Sequence, residues 1–452
     1  MRLQIGGRVR ARGTMVFTRS RVWFVALAMT LFVAACGGGA DAPEPGGDGG
    51  AAPGGGGEIN VVAVWTGEEQ ASFEAVLDAF TEETGIDARY TSTGDDVGAY
   101  LGTQIEGGNP PDVAMLPQPG LLRDLAGAGN LTPANDAVKS ALEENFADVW
   151  LDLGSVEGDL YGVYFKAANK STWWYNTAVF EQAGVEPPED WDAMLETAST
   201  VNASGTPWVS IGGADGWVLT DWFENIYLRT AGPDLYDQLA DHEIPWTHDS
   251  VITALETFGE LVGDDANLAG GTKGALNTDF PTSVTQTFAD PPKAATVYEG
   301  DFVAGVIVDE AGGEAGTDFD FFDFPSIDGS EPAVVGGGDV AVALTDSEEA
   351  QQLLEFLATP EAAEVWAERG GFTSPNQNLD TSVYPDDITA RSAQAVAEAE
   401  TFRFDLSDLQ PAAFGGTVGR GLFSRFQDFL RNPDDAESVA EALEKDAAKA
   451  FK

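Results

Sequence analysis

The first patterned stretch after residue 57 predicts a strand, a helix and a second strand. Residues 59–65, INVVAVW, form a nearly unbroken apolar run, which is typical of a strand covered on both faces. Apolar residues then recur at helical spacing, at Phe73, Val76, Leu77 and Phe80. Gly85 is expected to end this helix in a left-handed conformation, and residues 86–90 alternate as in a strand. The β-α-β order predicts a parallel pair of strands.

The same alternation continues along the chain and indicates an α/β protein. It predicts strands at 112–116 and 172–175, and helices at 136–146 and 191–200. It also predicts a C-terminal helix over residues 433–451, with Asn432 as N-cap, Pro433 in the first turn, and Val439, Leu443 and Ala447 packed on the protein. The roughly 395 residues from Glu58 onward are enough for two domains. No long linker divides them, so we expect the chain to cross between two lobes more than once.

Residues 1–57 differ in character from the rest of the chain. Six arginines and no acidic residue occur before residue 22, and residues 22–35 carry no charge. This apolar segment of about 14 residues is too short to span a bilayer as a helix, and it predicts a signal peptide over residues 1–35, starting at Met1 or Met15. The VAAC sequence at 33–36 resembles the lipobox of bacterial lipoproteins, which implies lipidation of Cys36. The alternative is a buried cysteine in a signal anchor. Residues 37–57 are rich in Gly and Pro and predict a flexible tether.

The charge of the chain excludes one large class of partners. The 452 residues include 23 lysines and arginines and 75 aspartates and glutamates. Removal of residues 1–35 would leave 17 basic and 75 acidic residues, a net charge of −58. We therefore do not expect a nucleic acid as partner. The acidic residues are spread along the chain, which indicates a solvated acidic surface, and adaptation to a salty habitat is our hypothesis for it. Cys36 is the single cysteine, so no internal disulfide can form.

Sequence motifs of common catalytic and metal sites are absent. The chain contains no HExxH, GxSxG or GxxxxGK[ST] motif and no GxGxxG after a strand, and His242 and His248 are its only histidines. The aspartates of TDFDFFDFP (317–325) alternate with phenylalanines, which favours a strand over a calcium loop. A glycosidase needs a pair of carboxylates, but with 75 of them abundance alone is uninformative. We expect no enzyme activity, no cofactor and no metal site.

Tryptophans beside carboxylates suggest a sugar site. A pyranose presents an apolar face to an aromatic ring and a rim of hydroxyl groups to carboxylate acceptors. Of the eleven tryptophans, Trp173, Trp174 and Trp222 lie inside apolar patterns and are expected in the core. Trp65 and Trp217 lie at element boundaries, next to Thr-Gly-Glu and after Gly-Gly-Ala-Asp-Gly, so a cleft position and a core position both remain open for them.

Three ordered segments carry a resemblance to a known family. GNPPDVAMLPQPGLLRDLAGAGNLTP (108–133), DLYGVYFKAANKSTWWYNTAVFEQAGVEPPEDWDAM (159–194) and VVGGGDVAVALTDSEEAQQLLEFLATPEAAEVW (334–366) are similar to the extracellular solute-binding proteins of bacterial ABC importers, carbohydrate type. Maltose-binding protein is a familiar member. Residues 221–251 further resemble the α-glucoside-binding branch. After PDV, where maltose-binding protein has a tryptophan, this chain has Leu116-Pro117-Gln118, which puts the length of the bound saccharide in doubt.

The resemblance implies a two-lobed periplasmic-binding-protein fold with three hinge crossings. Carried onto this chain, the first lobe comprises 58–166 and 341–373, and the second comprises 170–337 and 376–452. The crossings are expected at 167–169, 338–340 and 374–375, where small residues suit a hinge.

Twelve residues are candidates to contact the ligand. Ligands of open α/β sheets bind beyond the carboxyl ends of the strands. We therefore expect the residues that directly follow the predicted strands to lie at the cleft. The resemblance places an acid and an aromatic at DGW (215–217) and another aromatic in YEGDF (298–302). The full set is Trp65, Glu68, Asp95, Gln118, Lys166, Asp215, Trp217, Glu299, Asp301, Phe302, Asp339 and Asp405. Lys166 could instead form a surface ion pair, and Phe302 could belong to the core. Six of the polar candidates could instead cap a loop or helix: Glu68, Asp95, Gln118, Asp215, Glu299 and Asp301.

The resemblance implies capture and delivery of a sugar. We expect a monomer, anchored by lipid at Cys36 on the extracellular face of the membrane, whose lobes close on a mono- or oligosaccharide and then dock on an ABC permease. A secreted enzyme acting on polysaccharide and a surface adhesion lipoprotein are the alternatives. Turnover of labelled oligosaccharides would indicate the enzyme, and absence of saturable binding of small ligands would indicate the adhesion protein.

Overall fold

The fold is built around two main β-sheets, each of which packs against its own hydrophobic core. The computed structural model describes residues 57–452, except for the side chains of residues 397 and 398. The predicted signal peptide, Cys36 and most of the predicted tether lie outside these residues. The first core draws mainly on residues 59–167 and 340–372, and the second on residues 173–335 and 406–447. These cores define the first and second lobes, and they confirm the predicted two-lobed α/β fold.

The strands form one large mixed sheet in the first lobe and one smaller sheet in the second. They are Glu58–Ala63 (β1), Asp87–Ser92 (β2), Val113–Leu116 (β3), Ser155–Val156 (β4), Asp159–Leu160 (β5), Gly162–Asn169 (β6), Thr172–Asn176 (β7), Val209–Ser210 (β8), Thr296–Tyr298 (β9), Phe319–Asp323 (β10), Val334–Ala343 (β11) and Phe402–Phe404 (β12). The first sheet has the order β12-β11-β3-β1-β2, with β6 also paired to β11. The second has the order β10-β7-β9-β8, and β4 and β5 form a separate pair.

Helices cover both sheets. The α-helices are Gly67–Thr84, Val97–Glu106, Pro119–Gly127, Asp136–Asn145, Asp148–Leu153, Thr177–Ala183, Trp191–Ser204, Trp217–Ala231, Pro233–Ala240, Asp249–Val262, Gly271–Ala275, Phe280–Thr287, Val303–Val306, Glu348–Leu357, Pro360–Ala367, Asp387–Glu398, Leu406–Leu409, Ala412–Gly415, Gly421–Arg431 and Ala436–Ala450. Short 3-10 turns lie at Asp265–Asn267 and Thr381–Val383, and a π-helical turn lies at Ile307–Ala311. Within residues 57–452, no helix is both long and apolar enough to cross a membrane.

The β-α-β unit predicted directly after residue 57 is confirmed. Strand β1 pairs in parallel with β2, and the helix Gly67–Thr84 lies between them in the chain. The helix ends at Gly85, whose φ of 77° is left-handed and whose N–H donates to the carbonyl oxygen of Thr81 at 2.9 Å. The strands and helices predicted between residues 112 and 200 are also present, and so is a strand in the phenylalanine-rich 317–325 segment.

The C-terminal helix starts later than predicted. It spans Ala436–Ala450 with Asp435 as its N-cap, so the predicted roles of Asn432 and Pro433 are wrong. The N–H of Asn432 donates to Phe429, and the N–H of Asp435 donates to Asn432, so this segment turns before the helix can begin. The predicted packing is confirmed, because Val439, Leu443 and Ala447 are buried in the second core.

Three short connections join the two lobes. The first is Lys170–Ser171, between β6 of the first sheet and β7 of the second. The second comprises residues 324–333, between β10 and β11. The third is Asp405, because β12 pairs with β11 whereas Leu406 packs in the second core.

The observed connections differ from the predicted crossings. Residues 338–340 lie inside β11 and pair with β6, and residues 374–375 lie between Thr373 and Asn376, which pair with first-lobe residues. The glycines of β11 allow close approach of two backbones: a Cβ atom on Gly338 would lie 2.8 Å from the carbonyl oxygen of Lys166. Glycine therefore serves strand packing here. In addition, Leu379, Tyr384 and Phe404 pack in the first core, whereas the family resemblance implies that all of 376–452 belong to the second lobe.

Candidate functional site

A cavity of about 470 Å³ is lined by residues of both lobes. Nine of the twelve predicted residues line it: Trp65, Glu68, Asp95, Gln118, Lys166, Asp215, Trp217, Phe302 and Asp339. The structure brings these residues together, although they are spread over more than 270 positions of the sequence. Among the further lining residues are Glu69, Lys170, Asp279, Phe280, Asp309, Glu310, Trp366, Asp408 and Phe423.

The wall formed by the first lobe follows from the parallel strands. Trp65, Asp95 and Gln118 come shortly after β1, β2 and β3, and Glu68 lies in the first turn of the helix that follows β1. The carboxyl ends of parallel strands meet at one edge of a sheet, so these side chains meet at the cavity. The expected placement at the cleft edge is therefore present in the structure.

Trp65 and Trp366 form an aromatic wall in the first lobe. Their rings meet edge to face, with centroids 4.9 Å apart and planes at 85°. Trp65 also packs edge to face on Phe73, again with centroids 4.9 Å apart. Only 4% of Trp65 is exposed, so it belongs to the first core and presents a small part of its ring to the cavity.

Lys166 is enclosed by aromatic rings and paired with an acid. Its Nζ atom forms an ion pair with Glu69 and lies 5.0 Å from the ring centre of Trp366 and 5.4 Å from that of Phe302. Burial alone would lower the pKa of Lys166, but the carboxylates of Glu69 and Asp339 outweigh this effect and raise the pKa. The lysine therefore stays charged, and its charge is balanced within the site.

Trp217 is the principal aromatic residue on the second lobe's side of the cavity. It begins the helix Trp217–Ala231, after Gly216 with a φ of 88°. A Cβ atom on Gly216 would lie 2.7 Å from Phe423, so glycine is required at this turn. The half-buried Trp217 ring lies 5.3 Å from Phe280 and 6.1 Å from Phe302, centre to centre. Its remaining surface is available to a ligand.

Asp215 is held in place at the start of the same segment. Its Oδ2 atom accepts a hydrogen bond from the N–H of Phe280 at 2.7 Å, which leaves Oδ1 available. Burial raises the pKa of Asp215 to about 6, against the hydrogen bond from Phe280, and the nearby Asp95 and Asp279 add to the rise. Asp215 therefore combines a fixed orientation with a titration close to neutral pH.

Carboxyl groups of the two lobes face each other across the cavity. Burial and the charge of Asp279 raise the pKa of Asp95, and burial and the charge of Glu68 raise that of Glu310. A Cβ atom on Gly67, which precedes Glu68, would lie 3.1 Å from Glu310 Oε1. The cavity is thus rich in hydrogen-bond acceptors and strongly acidic.

Three predicted contacts do not line the cavity. Glu299 is fully buried and accepts a hydrogen bond from the N–H of Gly300 at 3.2 Å. Asp301 accepts a hydrogen bond from the hydroxyl of Thr373, and the buried Asp405 lies 2.5 Å from the Nζ atom of Lys170, which does line the cavity. The YEGDF segment does reach the cavity, but it does so through Phe302.

Sequence reasoning missed several lining residues. Lys170 had a usable signal, because it lies beside Lys166 in a chain with few basic residues. Asp279 and Phe280 form a helix start whose cap is visible in the sequence Asp-Phe-Pro, with Asp279 accepting from the N–H of Thr282 at 2.8 Å. For Trp366 and Asp408, we find no local pattern that separates them from core or surface residues.

One group of carboxylates converges closely enough to be considered for a metal ion. In the described part of the chain, ligand atoms of Asp221, Glu224 and Asp405 lie within 4.8 Å of one another. The ammonium group of Lys170 already contacts Asp405 at 2.5 Å and Asp221 at 3.2 Å. A lysine thus supplies the positive charge at this position, and we assign no metal to it.

Comparison with known proteins places the chain in a family. The family model described as bacterial extracellular solute-binding protein matches residues 65–364. The osmoprotective compounds-binding protein GgtB of Synechocystis sp. is 36% identical over 388 residues, which cover 84% of this chain and 90% of GgtB. The alpha-glucosides-binding periplasmic protein AglE of Rhizobium meliloti is 34% identical over 397 residues, which cover 84% of this chain and 85% of AglE.

Solved structures share the fold at lower sequence identity. The bacterial solute receptor AcbH, described as preferring b-D-galactopyranose, superposes with a TM-score of 0.76 at 22% identity over 88% of this chain and 100% of its own. A chitin oligosaccharide binding protein superposes with a TM-score of 0.75 at 20% identity over 88% and 100% of the two chains. The chain belongs to the family of bacterial extracellular solute-binding proteins, which are receptors of ABC importers and not enzymes.

Proposed function

We propose that the chain is a lipid-anchored receptor that captures a neutral α-glucoside in the cavity between its lobes and delivers it to an ABC permease. The observation that carries this proposal is the position of the Trp217 ring beside Asp215, both facing the cavity. An aromatic face next to a fixed carboxylate suits a pyranose, which needs a stacking partner and acceptors for its hydroxyl groups.

The names of the relatives support the substrate class. AglE is described as binding alpha-glucosides, and GgtB as binding osmoprotective compounds. A neutral glycoside that serves as an osmoprotectant would satisfy both descriptions. It would also agree with the acidic composition of the chain, for which we hypothesise a salty habitat.

The acidic lining of the cavity favours uncharged saccharides as ligands. Ionised carboxylates accept hydrogen bonds from sugar hydroxyl groups but repel anions. Both lysines that line the cavity are already paired, Lys166 with Glu69 and Lys170 with Asp405. A sugar phosphate or a uronic acid would therefore meet an excess of carboxylates without a free cation to balance it. A volume of about 470 Å³ lies within the usual range for small-ligand sites.

Anchoring, closure and delivery complete the proposal. The signal peptide over residues 1–35 would be removed, and lipid on Cys36 with the tether to residue 57 would hold a monomer at the extracellular face of the membrane. The lobes would close on the ligand by bending at the three connections, and the closed form would dock on the permease. The family supports partnership with an ABC transporter.

A thermal-shift screen tests the substrate class. The exported chain carrying Cys36→Ser is heated with maltose, trehalose, sucrose, raffinose, glucose and glucuronate, each at several concentrations. A ligand at 100 times its Kd stabilises the folded state by about 2.7 kcal/mol, so modest binders are visible. We expect stabilisation by at least one neutral α-glucoside and none by glucuronate. Stabilisation by glucuronate alone, or by none of the sugars, would refute the proposal.

A further inference from the structure

A buried cluster of one lysine and four carboxyl groups lies where the chain passes between the lobes. We call it the hinge cluster, and it consists of Lys170, Asp221, Glu224, Glu299 and Asp405. Lys170 lies in the first connection, and Asp405 is the third connection. Asp221 and Glu224 project from the helix Trp217–Ala231, and Glu299 directly follows β9. All four acidic residues are 0–1% exposed.

One ammonium group cannot balance the cluster if all its carboxyl groups are ionised. Lys170 Nζ lies 2.5 Å from Asp405 Oδ2 and 3.2 Å from Asp221 Oδ2. A further carboxylate, that of Asp408, lies 3.8 Å away. Burial of several like charges with one counter-charge is strongly unfavourable, so protons must neutralise most of the acids.

Neighbouring carboxyl groups indicate where a proton lies. The carboxyl group of Glu299 lies beside that of Asp221, and the carboxyl group of Glu224 lies beside that of Asp405. Two carboxyl groups can share a hydrogen bond only if one of them is protonated, because ionised carboxylates are acceptors only. Glu299 Oε1 has no hydrogen-bond partner among the described residues, so this oxygen is available to share a proton with Asp221.

The pKa shifts agree with this arrangement. Burial raises the pKa of Glu299 and of Glu224 well above the usual range, with added repulsion from Asp221 and Asp405 respectively. Burial also raises the pKa of Asp221 to about 8, even against the charge of Lys170. Burial acts in the same direction on Asp405, but the ammonium of Lys170 and hydrogen bonds from its neighbours lower its pKa below the usual value. Lys170 and Asp405 form the ion pair, and the raised pKa values of Glu299, Glu224 and Asp221 favour their protonated forms.

Hydrogen bonds beside the hinge cluster link the three connections to one another and to β11. The N–H of Lys170 donates to the carbonyl oxygen of Val335, and the N–H of Val335 donates to Ser171 Oγ, each at 2.9 Å. The N–H of Phe324 donates to the carbonyl oxygen of Ser171 at 2.8 Å, and that of Asp405 donates to Gly336 at 2.7 Å. A change in the angle between the lobes must therefore change the surroundings of these groups.

Other titratable groups face the cluster without adding a cation to it. The hydroxyl of Tyr236 lies 3.5 Å from Glu224 Oε2, and the hydroxyl of Tyr298 donates to the carbonyl oxygen of Lys170 at 2.7 Å. Asp408 lies near Lys170 and also lines the cavity, and the charge of Asp339 in the cavity wall raises the pKa of Asp408. These neighbours are neutral or acidic, so they favour retention of the protons.

We propose that the hinge cluster is a proton-binding site built into the connections between the lobes, and that loss of its protons in alkaline solution opens the lobes. Deprotonation would place several carboxylates side by side around one lysine. Their repulsion would be relieved by moving the third connection away from the helix Trp217–Ala231. The arrangement of the connections in this structure would therefore depend on protons that the cluster retains at neutral pH.

The variant Glu299→Gln tests whether Glu299 carries a proton in the folded protein. A glutamine can accept from the N–H of Gly300 through its oxygen and donate to Asp221 through its nitrogen, as the protonated acid does. The exposed Glu143→Gln makes the same chemical substitution away from the cluster and serves as the control. The slope of the free energy of unfolding against pH counts protons released on unfolding. Because an unfolded carboxyl loses its proton near pH 4 and the buried one keeps it, stability should fall as pH rises from 6 to 8.

The expected result is that the wild-type protein and Glu143→Gln release the same number of protons, and that Glu299→Gln releases about one fewer. An equal slope in all three proteins, or a wild-type slope of zero, would overturn the proton-binding site. Small-angle X-ray scattering of the ligand-free wild type should show a larger radius of gyration at pH 9 than at pH 6, with a smaller change in Glu299→Gln. An unchanged radius in the wild type would overturn the opening of the lobes.

Discussion

The Nζ atom of Lys170 lies 5.8 Å from the ring centre of Trp217. The first residue belongs to a connection between the lobes, and the second faces the cavity from the start of a second-lobe helix. A ligand that stacks on Trp217 would thus lie close to the segment about which we propose that the lobes bend. This pair of side chains would therefore couple ligand binding to movement of the lobes.

The acidity of Asp215 predicts that sugar binding weakens in acid. Its pKa of about 6 means that roughly nine tenths of the side chain is protonated at pH 5, and the protonated group loses its charge-assisted acceptor. We expect affinity to fall by up to about tenfold between pH 7.5 and pH 5. The pKa of Asp339 is also raised to about 6, so Asp215→Asn should bind more weakly and show a reduced pH dependence, not a flat one. A variant that keeps the full pH dependence would exclude Asp215 as the titrating contact.

The glycines of β11 predict a stability effect that does not involve the ligand. In Gly338→Ala, the new Cβ atom would lie 2.8 Å from the carbonyl oxygen of Lys166, and the strands β6 and β11 would have to separate. We expect a loss of about 1–3 kcal/mol in the free energy of unfolding. Gly102→Ala is the control, because that helical glycine has no atom within 4 Å of the new methyl group, and it should be neutral or stabilising by up to about 1 kcal/mol. Equal stability of both variants would contradict the role of close strand packing.

The proposed lipidation of Cys36 predicts that a substitution there changes the location of the protein and leaves its ligand affinity unchanged. Cys36→Ser should release the protein from the membrane fraction without changing its affinity for the sugar, because the sequence predicts a flexible tether over residues 37–57 between the cysteine and the first strand. Membrane fractionation followed by a binding assay on the released protein measures both effects. Continued association of the variant with membranes would count against lipidation at Cys36.

Single helices and strands could be predicted from the local spacing of residues. Packing between elements that are distant in the sequence was harder to predict. The helix that ends at Gly85 and the strand β1 follow from local spacing alone. The glycines of β11 suggested a hinge, because their packing against β6 depends on a strand some 170 residues away. Trp65 and Gln118 reach the cavity because strand ends are predictable sites. Glu299 turns into the interior instead, since its direction depends on how the turn after β9 is held.

Trp217 provides the sharpest substitution. In Trp217→Ala, the cavity loses the ring on which we propose that the pyranose stacks, and affinity should fall by roughly 30-fold or more, about 2–4 kcal/mol. The ring is half-buried, so the melting temperature without ligand should change little. Trp222→Ala in the same helix is the matched control. That ring is fully buried, and its removal should cost about 3–5 kcal/mol of folding stability.

Calorimetric titration of the wild-type protein and Trp217→Ala, with the neutral α-glucoside that gives the largest thermal shift, tests the central claim most directly. We predict one saturable site in the wild type and a Kd at least roughly 30-fold higher in Trp217→Ala, with both proteins melting at nearly the same temperature when empty. Near-normal affinity in Trp217→Ala together with a large loss of ligand-free stability would contradict the claim, because it would make Trp217 a core residue and leave the proposed sugar site without its stacking surface.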